Sequence, residues 1–111
     1  MKDEYLENLL NIIKSKKKDD PKTSYTALLH QKGLNEILSK ISEEAEETVE
    51  AARNEGDENL VHEIADLWFH CLVLLSQKNL SVDDVTMELK RREGTSGIEE
   101  KNNRGENNSN G

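Results

Sequence analysis

The sequence predicts an all-α protein, and three observations carry that prediction. Leucine dominates the apolar residues, there is one proline, and runs of β-branched residues are missing, a balance that favours helix over sheet. Apolar residues recur every three or four positions through most of residues 5–89, the period of a helix with one buried face. Two long stretches with this period flank a short turn, which predicts an antiparallel αα-hairpin with flanking helices.

The elements follow in order. Residues 3 to 15 (DEYLENLLNIIKS) carry Leu6, Leu9, Leu10 and Ile13 on one face, with Lys16, Lys17 and Lys18 complementing the dipole at the end. Asp19-Asp20-Pro21 stops this helix. KTSYTALLHQKG (22–33) reads as a turn or two of helix ending at Gly33. The second long element runs over 34–54, with Leu34, Ile37, Leu38, Ile41, Ala45, Val49 and Ala52 as its apolar stripe. At the turn 54–57, Gly56 is the expected C-cap and Asp57 the expected N-cap of the next helix. That helix spans 58–77, its main stripe being Ile64, Trp68, Cys71, Leu72 and Leu75. Ser81 caps a last helix running to Arg92, with Asp83 and Asp84 in its first turn. Residues 1–93 thus form one domain, and 94–111 a polar tail whose end is expected to be disordered.

Composition limits what such a domain does. The chain has 111 residues, of which 33% are hydrophobic and 34% charged, a thin ratio for a monomer with its own core. The second half of the 58–77 helix is apolar nearly all round. Phe69 and Val73 oppose the main stripe, and Leu67 and Leu74 fill a flank. Burial on all sides is implied, and a homodimer with a shared helical bundle is expected. A net charge of −8 excludes passive attraction of nucleic acid or an anionic membrane. A phosphate-rich substrate would need metal ions to meet this chain. Cys71 is the only cysteine, so an intramolecular disulfide and a Cys-rich zinc site are excluded; within LWFHCLVLL it reads as a small hydrophobe. That run is too short to span a membrane, MKDEYLENLL lacks the apolar core of a signal peptide, and a cytoplasmic location is expected.

KISEEAEETVEAA (40–52) poses the functional question, because five glutamates there face little opposite charge. The helical period places Glu44 at the border of the apolar stripe and Glu47 one turn along the same edge. Glu46 and Glu50 point to solvent, and Glu43 lies towards the back, near the Glu47 column. On the next long helix Glu63 and Asp66 sit to one side of the stripe, followed by His70. The two i, i+3 pairs lie at comparable distances from the turn and can meet across the seam. None of the four has Lys or Arg at i+4, and carboxylates roughly 5 Å apart repel by about 3 kcal/mol per pair at an effective dielectric near 20. Folded proteins are stable by only about 5–15 kcal/mol, so a meeting of the four implies a bound cation. All-oxygen ligation points to a hard ion, Mg²⁺ where phosphates share the shell. His70 either orients a carboxylate or is a half-buried core histidine.

Glu43-Glu44-x-x-Glu47 followed by Glu63-x-x-Asp66 resembles the metal signature of the MazG-like all-α nucleotide pyrophosphohydrolases. With DPKTSYTALLHQKG (20–33), LVHEIADLWFHCLVLL (60–75) and RREGTSGIEEK (91–101), almost the whole chain resembles the phosphoribosyl-ATP pyrophosphohydrolase family. The resemblance implies Mg²⁺-dependent hydrolysis of 1-(5-phosphoribosyl)-ATP to the AMP derivative and pyrophosphate, in histidine biosynthesis, by a dimeric helical protein. It implies Glu44, Glu47, Glu63 and Asp66 as metal ligands and catalytic residues, with Glu43 as a base or a supporting partner. The phosphate on the added ribose needs other cations, for which Lys32, Lys40, Arg91, Arg92 and Lys101 are candidates. The Gly94-Thr95-Ser96-Gly97 stretch, Ser96 included, offers N–H groups and hydroxyls to an anion. Arg91 and Arg92 also suit the dipole of the last helix, and both readings stay open. Thr23, Ser24, Tyr25 and Thr26 are candidates for the base or ribose, Tyr25 equally for packing. Two alternatives remain at this level: a house-cleaning pyrophosphohydrolase of dUTP or damaged nucleotides, and a non-catalytic helical dimer with an acidic interaction face.

Overall fold

The computed structural model describes residues 4–94 together with Ile98 and Lys101. Among these residues all regular structure is helical, in five elements: α1 (Glu4–Ser15), α2 (Tyr25–Lys32), α3 (Leu34–Asn54), α4 (Asp57–Gln77) and α5 (Val82–Glu93). Local chemistry accounts for their boundaries. The Asp20 carboxylate accepts from the Lys22 N–H at 2.9 Å and its carbonyl from the Ser24 N–H at 3.0 Å, folding the chain around Pro21. Ser24 then caps α2 by accepting from the Ala27 N–H. Gly33 closes α2 and opens α3 in a single residue at φ 95°, a backbone state that residues with a Cβ rarely adopt. At the turn between α3 and α4 the caps sit one residue earlier than expected, Glu55 ending α3 and Gly56 opening α4. Ser81 and Asp84 form a reciprocal capping box on α5, satisfying two of the N–H groups that the first turn leaves without partners.

The core draws on every helix: Leu10 and Ile13 of α1, Leu29 of α2, Ile37 of α3, Leu72 and Val73 of α4, and Val82 of α5. The most extensive helix pairing is between α3 and α4. Its inward face departs from the sequence expectation. On α3 the packed positions are Ile37, Ile41, Glu44, Thr48 and Ala51, spaced four, three, four and three apart as a single helical stripe. Leu34, Leu38, Ala45, Val49 and Ala52, expected in the core stripe, are exposed. On α4 the departure is partial: Leu72 of the expected stripe is buried and Leu75 packs against the core, but other positions exchange places. Val73, expected to need another molecule, is fully buried within the chain, whereas Trp68 is 58% exposed. Cys71, read as a core hydrophobe, is exposed too. With Leu6, Leu75, Val85 and Leu89 these two residues line an apolar groove.

Helix α2 is tied to α4 by two hydrogen bonds of the same design. His30 Nδ1 is 2.8 Å from the Thr26 carbonyl and His70 Nδ1 is 2.8 Å from the Asp66 carbonyl. A carbonyl only accepts, so each Nδ1 carries the hydrogen and each Nε2 is left as an acceptor in the neutral ring. The Ser76 hydroxyl donates to His30 Nε2 at 2.8 Å, and the Tyr25 hydroxyl donates to His70 Nε2 at 2.9 Å. Each helix thus supplies one imidazole and one hydroxyl, and both rings are buried.

Ser76→Ala removes a donor from this brace and leaves His30 Nε2 unpaired in the interior. Urea unfolding is expected to show a loss of about 1–3 kcal/mol, whereas replacing the exposed Ser39 by Ala should leave the midpoint unmoved.

Candidate functional site

The seam between α3 and α4 holds the acidic cluster. Carboxylate oxygens of Glu44, Glu47 and Glu63 all lie within 4.8 Å of one another, and a second group of His62, Glu63 and Asp66 meets the same limit. Glu63 belongs to both. The Glu44/Glu47 pair picked out from sequence is therefore brought to Glu63 across the seam, while Asp66 stands in the second group. The stripe spacing explains why: Glu44 occupies an inward position of α3, and Glu63 one of α4.

Burial is uneven across the cluster. Glu44 and Glu63 are each 9% exposed, Asp66 is half-buried and Glu47 open to solvent. Glu44 Oε2 is fully buried and has no hydrogen-bond partner, an expensive state for an ionised carboxylate unless a cation offsets it. Burial first, then the neighbouring Glu47 carboxyl, then the charges of Asp66 and Glu63 push the Glu44 pKa from 4.5 up to about 7. Glu63 is raised in turn, chiefly by Glu47 and by burial, and His62 pulls it back. An oxygen donor set with a buried orphan oxygen suits a hard divalent cation, so the residues present fit the metal that the family resemblance implies.

The other residues singled out from sequence occupy varied places. Glu43 is exposed and pairs with Lys40 at 3.4 Å, outside both carboxylate groups. Glu46 and Glu50 are exposed, and Glu50 accepts from the Asn54 amide. His70 makes no carboxylate contact; it is the buried partner of Tyr25 described above. Ser24 and Thr26 are engaged within α2, the first as its cap and the second buried beneath His30. Tyr25 is 48% exposed, stacks on Phe69 and feels the charges of Lys40 and Glu44, which places it at the edge of the cluster. Arg91 and Arg92 both pair with Glu88 of their own helix. Lys32 and Lys101 are exposed, and Ser96 lies outside the described residues.

His62 went unnoticed in the sequence. Its Nε2 is 3.2 Å from Asp66 Oδ2 and 3.9 Å from Glu63 Oε1. The available signal was its position, directly before Glu63 and one helical turn before Asp66.

Fold and cluster together define an all-helical protein organised around a polycarboxylate seam. Residues 6–93 match the family model described as phosphoribosyl-ATP pyrophosphohydrolase. A phosphoribosyl-ATP pyrophosphatase from Hydrogenovibrio crunogenus is 50% identical, covering 96% of this chain and 98% of its own. One from Methylococcus capsulatus is 53% identical over 86% of this chain and 91% of its own, and one from an Azoarcus species 48% identical over 91% and 94%. The chain belongs to the phosphoribosyl-ATP pyrophosphohydrolase family, and the resemblance drawn from its segments over almost the whole chain is borne out. It is a hydrolase acting on a phosphoanhydride.

The raised Glu44 value sets a pH dependence for the cation-free protein. The stabilisation from protonated Glu44 is fully present below its unfolded value of 4.5 and is lost as the pH rises through about 7. Calorimetry in EDTA should therefore give a lower melting temperature at pH 8 than at pH 5.5, with a visibly flatter profile for Glu44→Gln.

Proposed function

We propose that this chain hydrolyses 1-(5-phosphoribosyl)-ATP to 1-(5-phosphoribosyl)-AMP and pyrophosphate, the second step of histidine biosynthesis. In this reading it acts in the cytoplasm and uses Mg²⁺ held by Glu44, Glu47, Glu63 and Asp66. Family membership supports the substrate. The observation that carries the metal site is the buried, unpartnered oxygen of Glu44 among further carboxylates. Among the described residues no helix is long and apolar enough to cross a membrane.

Mg²⁺ bound there supplies positive charge to the polyphosphate and stabilises the leaving pyrophosphate. The side chains do the rest. Glu44 and Glu63, held in the packed faces of their helices, give the site a fixed geometry before substrate arrives. Water attacks one phosphorus of the anhydride, the bond to the bridging oxygen breaks, and the water's proton needs an acceptor. Glu43, one turn before Glu47 and paired with Lys40, is the proposed acceptor. Lys40, felt electrostatically at Tyr25, is the first candidate for the phosphate on the added ribose. Lys32, Arg91, Arg92, Ser96 and Lys101 complete the proposed anion-binding set, and Arg91 and Arg92 would have to leave Glu88 to join it.

The active form in this proposal is a homodimer in which α3 and α4 act as a two-helix hairpin and their outward apolar faces are covered by a second copy. Exposure of Leu38, Val49, Trp68, Val85 and Leu89, three of which line one apolar groove, supports it, since exposed apolar surface of this kind often marks an interaction site.

Pyrophosphate release is expected from phosphoribosyl-ATP in the presence of Mg²⁺ and not in EDTA, with dUTP and ATP inert. Release from dUTP instead would keep the metal site and discard the substrate. Glu44→Gln, Glu47→Gln, Glu63→Gln and Asp66→Asn should each lower kcat by about a hundredfold or more, and Glu46→Ala and Glu50→Ala by less than about twofold.

Trp68 is the sole tryptophan, so its emission reports the proposed interface. Light scattering should give twice the chain mass for the native protein and a monomer for Trp68→Glu. Dilution of the native protein should shift the emission to the red as the dimer parts.

A further inference from the structure

The two imidazole–hydroxyl pairs that brace α2 against α4 draw their hydroxyls from very different side chains. In one, Ser76 is 1% exposed and donates to His30 Nε2 at 2.8 Å. In the other, Tyr25 donates to His70 Nε2 at 2.9 Å yet remains 48% exposed. A serine-sized side chain makes this bond in the first pair, so the brace itself does not call for an aromatic ring at the half-open position. That ring is nevertheless held firmly. Phe69, packed against the core, stacks on it with planes 21° apart, and the His70 ring meets it edge-on at 89°. Clamped at its hydroxyl and by two neighbouring rings, Tyr25 presents a fixed aromatic surface to solvent.

The surface lies beside one edge of α3. Glu36, Lys40 and Glu44 follow one another a helical turn apart, and all three, with Glu43, act on Tyr25 electrostatically. Glu44 belongs to the carboxylate cluster and Lys40 pairs with Glu43 at 3.4 Å. Among the described residues of this edge that leaves the half-buried Glu36 as the carboxylate with neither assignment.

We propose that the Tyr25 ring is the platform on which the adenine base of the substrate stacks, and that Glu36 beside it selects that base by its charge. The inference rests on the substrate reading given above and adds to it the place of the base and the means of telling it from ATP. In 1-(5-phosphoribosyl)-ATP the added ribose is carried on N1 of the adenine. Substitution at that nitrogen makes the base basic enough to hold a proton at neutral pH, so it is a cation where the base of ATP is neutral. Any base gains by stacking on an aromatic ring. A cationic one gains further from the negative face of a tyrosine and from a carboxylate at its edge.

The surroundings suit a molecule with phosphates on both sides of its base. Tyr25 is within electrostatic reach of Glu44, proposed to hold the metal at the polyphosphate, and of Lys40, proposed for the phosphate on the added ribose. A tyrosine kept for packing alone would account for the hydroxyl bond and the Phe69 contact. It would not account for an open ring between the two charges that this substrate needs.

The test uses the full-length protein with Mg²⁺ and compares 1-methyl-AMP, whose base is cationic, with AMP by calorimetry. The native protein should bind 1-methyl-AMP about fivefold or more tightly than AMP. Glu36→Gln should remove most of that preference, and it carries the test by itself if Tyr25→Leu does not fold. Tyr25→Leu should weaken both nucleotides, and should raise KM for phosphoribosyl-ATP about tenfold or more with kcat within about threefold of native. Tyr25→Phe, which keeps the ring, should recover most of that KM. Equal affinity of the native protein for 1-methyl-AMP and AMP, or a preference that Glu36→Gln leaves intact, would overturn the selection by charge. An unchanged KM in Tyr25→Leu would overturn the platform. Loss of Mg²⁺ binding in that variant would overturn it too, by making Tyr25 a prop for the carboxylate cluster. Failure of the native protein to hydrolyse phosphoribosyl-ATP would overturn the substrate reading beneath the proposal, and the nucleotide titrations register separately from it.

Discussion

Glu44 occupies, in the packed face of α3, a place that the helical period would assign to a leucine or isoleucine. Ile37 and Ile41 precede it in the stripe and Thr48 and Ala51 follow. An apolar side chain there would contribute about 1.5–3 kcal/mol of burial and would remove the repulsion with Glu47, Glu63 and Asp66. The carboxylate does the reverse. Its burial raises its own proton affinity and sets α3 against α4 at the very contact that joins them most extensively. A small domain with a thin core tolerates such a residue only where binding something returns the lost stability.

The polar groups around that point are handled in two opposite ways. In the brace between α2 and α4, both imidazoles and both hydroxyls are paired within hydrogen-bond distance, and a buried network of this kind, fully satisfied, rigidifies its surroundings. In the acidic seam, by contrast, Glu44 Oε2 is buried with no hydrogen-bond partner among the described residues. The contrast within one seam is informative. In the brace the chain supplies both partners itself, whereas at Glu44 it supplies only one, as the proposed cation site requires. Tyr25 stands at the boundary, its hydroxyl given to His70 and its ring half open beside the cluster.

The helix limits were legible because capping chemistry and hydrophobic period act locally. Leu34–Asn54 falls where its pattern begins and ends, and Ser81 caps α5 as its hydroxyl and Asp84 allow. The inward faces were not legible. The pattern of α3 contains two apolar stripes side by side, and merging them into a single core stripe put Leu38 and Val49 inside and Glu44 at the border. Only tertiary contact separates them, because periodicity reports that a residue is apolar and not which partner covers it. The acidic pairs could be found from spacing alone, since i, i+3 geometry is fixed by the helix. His62 could not be weighed in the same way. Its imidazole reaches Asp66 along its own helix, but its relation to Glu44 and Glu47 exists only once α3 and α4 have packed.

The exposed apolar residues of α3 and α4 have a common origin in the circumference of a helix. Helices α3 and α4 each have 21 residues, and each gives part of its inward stripe to carboxylates and small or polar side chains: Glu44, Thr48 and Ala51 on one, Glu63, His70 and Ser76 on the other. Those positions bury little apolar area and add charge repulsion, so the hydrophobic stabilisation of the long helices has to come from elsewhere on their surfaces. Leu34, Leu38, Val49, Val61 and Trp68, directed outward, are where the sequence puts it. In the proposed dimer the second copy therefore does more than add area. It supplies the burial that the inward faces give up in holding a cation, and a carboxylate site of this kind and an outward apolar face are two results of one allocation of side chains around the same pair of helices.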